Sequence, residues 1–339
     1  MSSPSRRPVS RLAFVVALAA TVALLGCSPA PASPQARTPL IVGLGYIPHV
    51  QFAPFYLADQ AGYYRDAGLE VTFQNKIDPD LITLIGAGAV DIGSADGTSV
   101  IPAVSQGIDV VYVATIYGTY PSVVFAKTSS GITTAADLEG RRIGIPGQFG
   151  SSWIMLQALL GSAGLTPDDV EVLPYPDFGQ GIALSQDAVD AATGFANNEP
   201  VVLGLSGVEV SVLHVDGIVP LPGPGLVAGR ATLASKGDAI RAFIAATLRA
   251  MREIAADPGV GLEAAIVAVP GVADSRETQR AILDATVAIW ASGAGGVDSF
   301  GSIDAADWEA SLRFMDSLGL VAGEVSVDDL VDDSYLPAD

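Results

Sequence analysis

A strand-loop-helix-strand unit at residues 40–73 constrains the fold more than any other stretch of this chain. It begins with an apolar run at residues 40–44, breaks at Gly45, and continues through an aromatic loop into a helix that ends at Gly62. A second strand-like run follows at residues 68–73. A connection of this length between two strands predicts a parallel pair in an α/β sheet. The loop after the first strand is where such sheets bind ligands.

The amino-acid sequence of this unit also resembles that of a known family. The phrase YIPHVQFAPFYLA at residues 46–58, followed by GYY and AGLEV, is similar to the opening of bacterial ABC-importer substrate-binding proteins. That group includes binders of thiamine pyrimidines, riboflavin, alkanesulfonates and nitrate, and the phrase looks most like the riboflavin-uptake branch. The resemblance implies an α/β, two-lobed periplasmic-binding-protein type II fold with a cleft between the lobes. It also implies an ABC permease and its ATPase as partners.

The amino-terminal residues are typical of a bacterial lipoprotein leader. A basic segment precedes an apolar run at residues 12–25, which is shorter than the roughly 20 residues of a membrane-spanning helix. We interpret residues 1–26 as a signal peptide. The run ends in LLGC, which is similar to a lipobox, so Cys27 is the predicted lipidation site. Residues 27–39 are rich in Pro, Ala and Ser and predict a linker to a lipid anchor at the extracytoplasmic face of a membrane.

Composition excludes several classes of function. The chain has 17 Lys plus Arg against 37 Asp plus Glu, a formal net charge of −20, which argues against nucleic acid as a partner. It has one Cys and two His, so we expect neither a metal site nor thiol chemistry. The sequence contains no G-x-S-x-G elbow, P-loop or metal-binding His pair. We therefore expect a monomeric binding protein without a cofactor, not an enzyme.

The alternation of strand-like and helix-like runs predicts the division of the chain into lobes. Residues 40–126 are the predicted first part of lobe 1, residues 127–218 lobe 2, and residues 219–339 a return to lobe 1 with carboxy-terminal helices. The Pro- and Gly-rich residues 218–225 predict a hinge without secondary structure. The resemblance implies that the helical tail packs mostly on the first lobe.

Four loops share one design: each follows a strand, contains small residues and leads into a helix amino terminus. Two come from each predicted lobe, so closure of the lobes brings exposed backbone N–H groups and side chains around one ligand. Together with two nearby tyrosines, the loops supply the candidate ligand-binding residues, which are Tyr46, Gln51, Phe52, Asp96, Thr98, Tyr117, Tyr120, Gln148, Phe149, Ser151, Trp153, Asn197, Asn198 and Glu199.

These loops narrow the class of ligand. They contain no Lys or Arg, and Asp96 and Glu199 oppose an anion, which disfavours an alkanesulfonate or nitrate. Rings with amide and hydroxyl groups suit a neutral heteroaromatic compound. Riboflavin fits this set best, and a thiamine pyrimidine precursor is the smaller alternative. A sensory lipoprotein that uses the same cleft is an alternative to transport.

Several of these residues have purely structural interpretations. Tyr56, Tyr63 and Tyr64 on the first helix, and Trp290, Trp308 and Phe314 in the tail, are expected in or against the core. Asp96 and the pair Asn197 and Asn198 are equally suited to cap the helices that follow them. Trp153 lies in the first turn of its predicted helix, and both core packing and ligand contact are open interpretations for it. His49 is expected to be solvated rather than bound to a ligand.

Overall fold

The computed structural model describes residues 1–2, 36–77 and 80–337. Arg37–Asp339 form one compact unit. The predicted signal peptide, the lipidation site Cys27 and most of the predicted linker lie outside the described residues, so those assignments stay predictions. Within the part of the chain that is described, no helix is both long and apolar enough to cross a membrane.

In the described residues, ten strands form two sheets of the same design. The strands are β1 (Thr38–Leu44), β2 (Leu69–Asn75), β3 (Ile92–Asp96), β4 (Val110–Thr115), β5 (Ser122–Lys127), β6 (Arg142–Ile145), β7 (Glu171–Pro174), β8 (Ala191–Phe195), β9 (Val210–Leu213) and β10 (Pro224–Gly229). The first sheet has the order β2-β1-β3-β10-β4, and the second has the order β7-β6-β8-β5-β9. In each sheet one strand runs antiparallel to both of its neighbours, β10 in the first and β5 in the second.

The parallel pairs confirm the strand-loop-helix-strand prediction for residues 40–73. β1 and β2 run side by side from Thr38 opposite Leu69 to Leu44 opposite Asn75. β6 pairs in parallel with β7 and with β8 in the second sheet. Because parallel strands end at the same edge, the loops after β1, β3, β6 and β8 all open where the two sheets face each other.

Helices connect the strands and cover the sheets. They are α1 (Ala53–Gln60), α2 (Tyr63–Asp66), α3 (Asp80–Gly86), α4 (Gly97–Ser105), α5 (Gly150–Ser162), α6 (Gln180–Ser185), α7 (Glu199–Leu205), α8 (Arg230–Ala256), α9 (Pro258–Ala268), α10 (Arg276–Trp290), α11 (Ala305–Ser317) and α12 (Val327–Leu330). The long helix α8 has a kink at Lys236, where φ is −128°.

Two segments join the sheets. Residues 116–121 lead from β4 to β5, and residues 214–223 lead from β9 to β10. The chain therefore passes between the sheets twice, and we call the first sheet with its helices the first lobe and the second sheet with its helices the second lobe. Two such connections allow the lobes to change their separation as rigid bodies.

The strand pairing corrects two predicted boundaries. β5, predicted as the end of lobe 1, is hydrogen-bonded between β8 and β9 in the second sheet, so the second lobe begins before residue 127. Residues 218–225 overlap β10 and are not a hinge throughout. Pro224 opens that strand, where a missing N–H is tolerated. Gly225 is needed there because a Cβ would lie 2.1 Å from the Tyr112 ring.

The carboxy-terminal helices pack mainly on the first lobe. α8 and α9 contact α1, and the ring of Phe243 stacks on Tyr64 with centroids 4.8 Å apart. Tyr56, Trp290 and Trp308 are also buried, which confirms their prediction as core residues. Phe314 and Tyr63 are partly buried against the same clusters. Full burial of one such side chain contributes about 1.5–3 kcal/mol to the free energy of unfolding. The carboxy-terminal helices therefore stabilise the first lobe.

Candidate functional site

The candidate site is a pocket in the cleft between the lobes. Its lining is drawn from both lobes and from the first connecting segment. The lining residues are Gly45, Tyr46, Gln51, Phe52, Phe55, Ile77, Ser94, Ala95, Asp96, Ile116, Tyr117, Pro146, Phe149, Gly150, Ser151, Ser152, Phe178, Gln180, Gly194, Phe195, Asn198, Glu199 and Pro224. The cavity measures about 120 Å³, below the roughly 300–1,000 Å³ usual for small-molecule pockets. A vitamin-sized ligand therefore requires the lobes to stand farther apart.

Tyr46 is presented by the loop that follows β1. Gly45 lets this loop approach β3, because its N–H donates to the Ser94 oxygen at 2.9 Å and a Cβ would lie 2.5 Å from that oxygen. The Tyr46 ring meets the ring of Phe178 from the second lobe edge to face, with centroids 4.9 Å apart. Burial and the charge of Glu199 raise the pKa of Tyr46 well above its usual value. Tyr46 is therefore a neutral hydroxyl that contacts the second lobe.

A second aromatic pair spans the cleft deeper in the pocket. Tyr117, in the first connecting segment, lies 6.4 Å from Phe195 between ring centroids. Its hydroxyl donates to Oε1 of Gln51 at 3.1 Å. Gln51 belongs to a short 3-10 turn, Val50–Phe52, whose backbone is capped by His49 Nδ1 at 3.4 Å. Burial lowers the pKa of His49 to about 4, so the imidazole is neutral at pH 7 and accepts this bond.

Asp96 stands at the end of β3 and reaches the second lobe. It occupies the N-cap position of α4, yet its side chain makes no capping hydrogen bond to that helix. Ser151 at the start of α5 donates to it instead, through both its hydroxyl and its backbone N–H. Burial raises the pKa of Asp96 to about 6 in spite of these donors. The carboxyl group is therefore a contact between the lobes and not a helix cap.

Glu199 is the corresponding carboxyl group of the second lobe. It lies at the first position of α7 and folds back, so that Oε2 accepts the Phe195 N–H at 3.0 Å. Gly194 makes room for it, since a Cβ there would lie 2.5 Å from Oε2. Burial raises the pKa of Glu199 to about 7. Near neutral pH this group is divided between its charged and neutral forms.

The pocket is rich in hydrogen-bond acceptors and contains no cation among its described lining residues. Gln180 is buried and donates through Nε2 to the Thr193 oxygen at 3.0 Å, while its Oε1 has no hydrogen-bond partner. A buried amide oxygen without a partner is costly unless a ligand or water satisfies it. Among the residues that the structure describes there is also no group of His, Cys, Asp or Glu suited to a metal ion.

The structure brings most of the sequence-predicted residues together at this pocket. Those that line it are Tyr46, Gln51, Phe52, Asp96, Tyr117, Phe149, Ser151, Asn198 and Glu199. They come from all four predicted loops and from the first connecting segment, and this convergence required the two sheets to face each other. Ligand contact by these side chains stays a prediction.

Other predicted residues do not line the pocket, because packing directs them elsewhere. Thr98 and Tyr120 are buried behind it, with Tyr120 donating to the Ser151 oxygen at 2.9 Å. Gln148 is exposed, and Trp153 is partly buried against the core. Asn197 is fully buried, and its Nδ2 donates to Thr286 Oγ1 at 2.7 Å.

The sequence prediction missed several lining residues of the second lobe. Phe178 and Gln180 follow the short strand β7 and were missed because the sequence pattern favours a helix over residues 178–186, not a loop. The adjacent Gly179 and Gly181 were the available signal for a close approach of this loop. Phe55 was missed because it belongs to the predicted helix that follows the first loop.

Comparison with known sequences agrees with this geometry. The family profile described as NMT1/THI5 like matches residues 49–260. The chain is 32% identical over 314 residues to the riboflavin-binding protein RibY of Chloroflexus aurantiacus, covering 91% of this chain and 89% of that protein. It is 28% identical over 171 residues to a 4-amino-5-hydroxymethyl-2-methylpyrimidine phosphate synthase of Legionella pneumophila, covering 50% and 52% of the two chains.

Comparison with solved structures identifies the fold. The chain superposes on the alkanesulfonate-binding protein SsuA of Xanthomonas axonopodis pv. citri, determined with MOPS bound, with a TM-score of 0.66 and 19% identity. The superposition covers 90% of this chain and 99% of that protein. The two-lobed α/β architecture with an interlobe cleft is therefore the fold of substrate-binding proteins of this kind.

Proposed function

This chain belongs to the NMT1/THI5-like family, and from that premise we propose that it is the solute-binding component of an ABC importer, with riboflavin as its ligand. The observation that carries the proposal is a pocket between two lobes that combines aromatic rings with hydrogen-bond acceptors and has no Lys or Arg among its described lining residues. An isoalloxazine ring suits aromatic walls. Its ring N–H and the ribityl hydroxyls are donors for the acceptors.

The proposed roles follow from position in the pocket. Tyr46, Tyr117 and Phe149 provide ring surfaces, and Phe149 is 46% exposed at the pocket. Asp96 and Glu199 accept hydrogen bonds from ligand donors. Gln51, Phe52, Ser151 and Asn198 complete the polar and apolar lining contributed by the predicted residues. The similarity to riboflavin-binding protein RibY supports the same class of ligand for this pocket.

An anionic ligand fits the pocket poorly. Asp96 and Glu199 bring two carboxyl groups into the cleft, and none of the described lining residues offers a positive charge. A sulfonate or nitrate placed there is repelled as soon as either carboxyl group ionises. The structural similarity to an alkanesulfonate-binding protein, at 19% identity, therefore extends to the fold and not to the ligand.

A thiamine pyrimidine precursor is the second candidate ligand. The specific observation in its favour is the small cavity of about 120 Å³. To hold a single substituted pyrimidine, the lobes have to separate less than they do to hold a three-ring flavin. Carboxyl groups also suit the amino group of such a ring as acceptors. Competition between the two compounds distinguishes these candidates.

We infer binding rather than catalysis. The similarity to the pyrimidine phosphate synthase covers 50% of this chain. The chain holds a single Cys, at position 27, and so offers no group of thiols for catalysis. His49 serves as a backbone cap and is not among the residues that line the pocket.

The location and partners follow from the amino terminus and the family. We propose cleavage before Cys27, lipid attachment to that cysteine, and a monomer held by residues 27–39 at the extracytoplasmic face of a membrane. There it would deliver its ligand to an ABC permease and ATPase. Delivery to a sensory membrane partner is the alternative role for the same cleft.

A fluorescence titration tests the ligand directly. Riboflavin at about micromolar concentration is mixed with the purified protein, and stacking against the pocket rings is expected to quench flavin emission to a saturable limit. Hydroxymethylpyrimidine is added as a competitor, and an alkanesulfonate serves as the anion control. Unchanged emission at micromolar concentrations of both components would reject riboflavin, and displacement by the pyrimidine at lower concentration would favour the second candidate.

A further inference from the structure

Phe178 has a backbone conformation that its side chain does not favour. It ends a turn after β7, in which its N–H donates to the Tyr175 oxygen at 2.9 Å and Asp177 Oδ1 accepts the Gly179 N–H at 3.2 Å. Its φ is +60°, in the left-handed region that bulky residues avoid. Gly or Asn at this position would relieve the strain, so a Phe here points to a role for the ring.

The strained turn directs the ring of Phe178 into the cleft. The residue is half-buried, lines the pocket, and meets Tyr46 of the first lobe with centroids 4.9 Å apart and an interplanar angle of 80°. Tyr46 follows β1 in the first sheet, and Phe178 follows β7 in the second. The two rings therefore form a contact between the lobes in the lining of the pocket.

A second non-glycine residue with positive φ lies outside the pocket and serves as a comparison for Phe178. Asp187 also has a φ of +60°, but it is exposed and pairs with Lys127 Nζ at 2.7 Å, away from the pocket lining. Asp is one of the residues that tolerate the left-handed region, because its short side chain bonds locally. Phe178 has no such compensation in its own turn.

We propose that Phe178 is a specificity-determining residue that covers one face of a planar ligand, while Tyr46 contacts it from the first lobe. This inference rests on the proposed function and adds to it the residue of the second lobe that selects flat aromatic rings. A ring system inserted between Tyr46 and Phe178 replaces their mutual contact with one contact to each lobe. Such a ligand favours an arrangement in which the lobes are close enough for it to touch both rings.

The test compares Phe178→Asn with Phe178→Tyr and with the control Asp187→Asn. Phe178→Asn removes the ring and relieves the backbone, so we expect a melting temperature equal to the natural protein or about 2 °C higher. The same variant should bind riboflavin about tenfold more weakly. Phe178→Tyr keeps a ring and should stay within about threefold in affinity. Asp187→Asn should leave riboflavin affinity unchanged.

A second probe separates ring contact from other effects. Lumiflavin has the same isoalloxazine ring system with a methyl group in place of the ribityl chain, so loss of a ring contact should weaken lumiflavin and riboflavin by the same factor. Phe178→Leu, which keeps an apolar side chain and the backbone strain, provides an affinity measurement should Phe178→Asn fold poorly. Its riboflavin affinity should also fall.

Each outcome bears on the inference. Undiminished riboflavin affinity in Phe178→Asn or Phe178→Leu overturns it while leaving the proposed ligand in place. A clear fall in the melting temperature of a folded Phe178→Asn contradicts the assignment of strain to this residue. Failure of the unsubstituted protein to bind riboflavin rejects the proposed ligand first, and this inference with it.

Discussion

Asp96 and Glu199 place two carboxyl groups in one cleft, where burial favours their protonated forms. Burial raises the pKa of Asp96 to about 6 and that of Glu199 to about 7, above the usual values near 4. The folded protein therefore holds protons that the unfolded chain releases in the same range. By linkage, the free energy of unfolding falls as pH rises from about 4 to about 7 on account of these groups.

Glu199→Gln tests this dependence at the level of one residue. The amide removes the titrating group, so the variant should gain melting temperature relative to the natural protein at pH 8 and gain little or nothing at pH 5. The groups that face Glu199 are the Tyr46 hydroxyl and the N–H groups of Phe195 and of Glu199 itself. Scanning calorimetry at the two pH values measures the difference.

The exposed residue Glu209 provides the matched control for that experiment. Glu209→Gln changes the net charge by the same amount without changing the cleft, so its effect on the melting temperature should be nearly the same at both pH values. Equal pH dependence in the two variants would contradict a special environment for Glu199.

At the scale of elements, one hydrogen bond connects the second lobe to the carboxy-terminal helices. Asn197, just before α7, donates through Nδ2 to Thr286 Oγ1 in α10 at 2.7 Å, and that hydroxyl donates onward to the Ile282 oxygen. Both Asn197 and Thr286 are fully buried. When the lobes separate, water can replace this bond, so it stabilises the closed arrangement specifically.

Thr286→Val should therefore weaken ligand binding without touching the ligand. In the closed protein the Asn197 amide would be buried without its acceptor, which costs about 1–3 kcal/mol. Riboflavin affinity should fall about tenfold, since 1.4 kcal/mol corresponds to that factor. Riboflavin titration of the variant measures the effect.

Thr247→Val is the matched control, because Thr247, like Thr286, is a buried helical Thr with a hydrogen-bonded hydroxyl, but its partners all lie within one lobe. Its hydroxyl is buried, donates to the Phe243 oxygen and contacts the Tyr64 hydroxyl at 2.8 Å. This variant should lower the melting temperature but leave riboflavin affinity within about twofold. An equal loss of affinity in both variants would argue against a bond that acts through lobe closure.

At the scale of the whole molecule, the two sheets are joined by residues 116–121 and 214–223. The cleft holds a cavity of about 120 Å³ and is crossed by the contact between Tyr46 of the first lobe and Phe178 of the second. A ligand must therefore bind first to a more open form, and the lobes then close around it. Its affinity for the closed form relative to the open form sets how far the population shifts.

Small-angle X-ray scattering should detect this closure. Saturating riboflavin is expected to reduce the radius of gyration of the ligand-free protein, because ligand contacts to both lobes favour the compact form. An alkanesulfonate at the same concentration should leave the radius unchanged, since the pocket opposes anions. No change with saturating riboflavin would contradict a closure mechanism.

Local sequence patterns were sufficient for most elements and for the loops that line the candidate pocket. Apolar runs and Gly breaks predicted β1, β3, β6 and β8 with their loops, and those loops contribute to the pocket. The resemblance carried by residues 46–58 led to the family that the comparisons confirm. The charge of the loops also indicated a ligand that is not an anion.

Pairing between distant segments decided what the sequence left open. β10 was missed because PGLVAG has the composition of a loop, and it is a strand only because β3 and β4 flank it. Asn197 turned from a predicted ligand contact into a bond to Thr286, 89 residues away. Phe178 entered the site because the second lobe faces the first. Periodicity describes what a residue does relative to its neighbours in sequence, whereas burial and contact across a cleft depend on which surfaces the whole fold brings together.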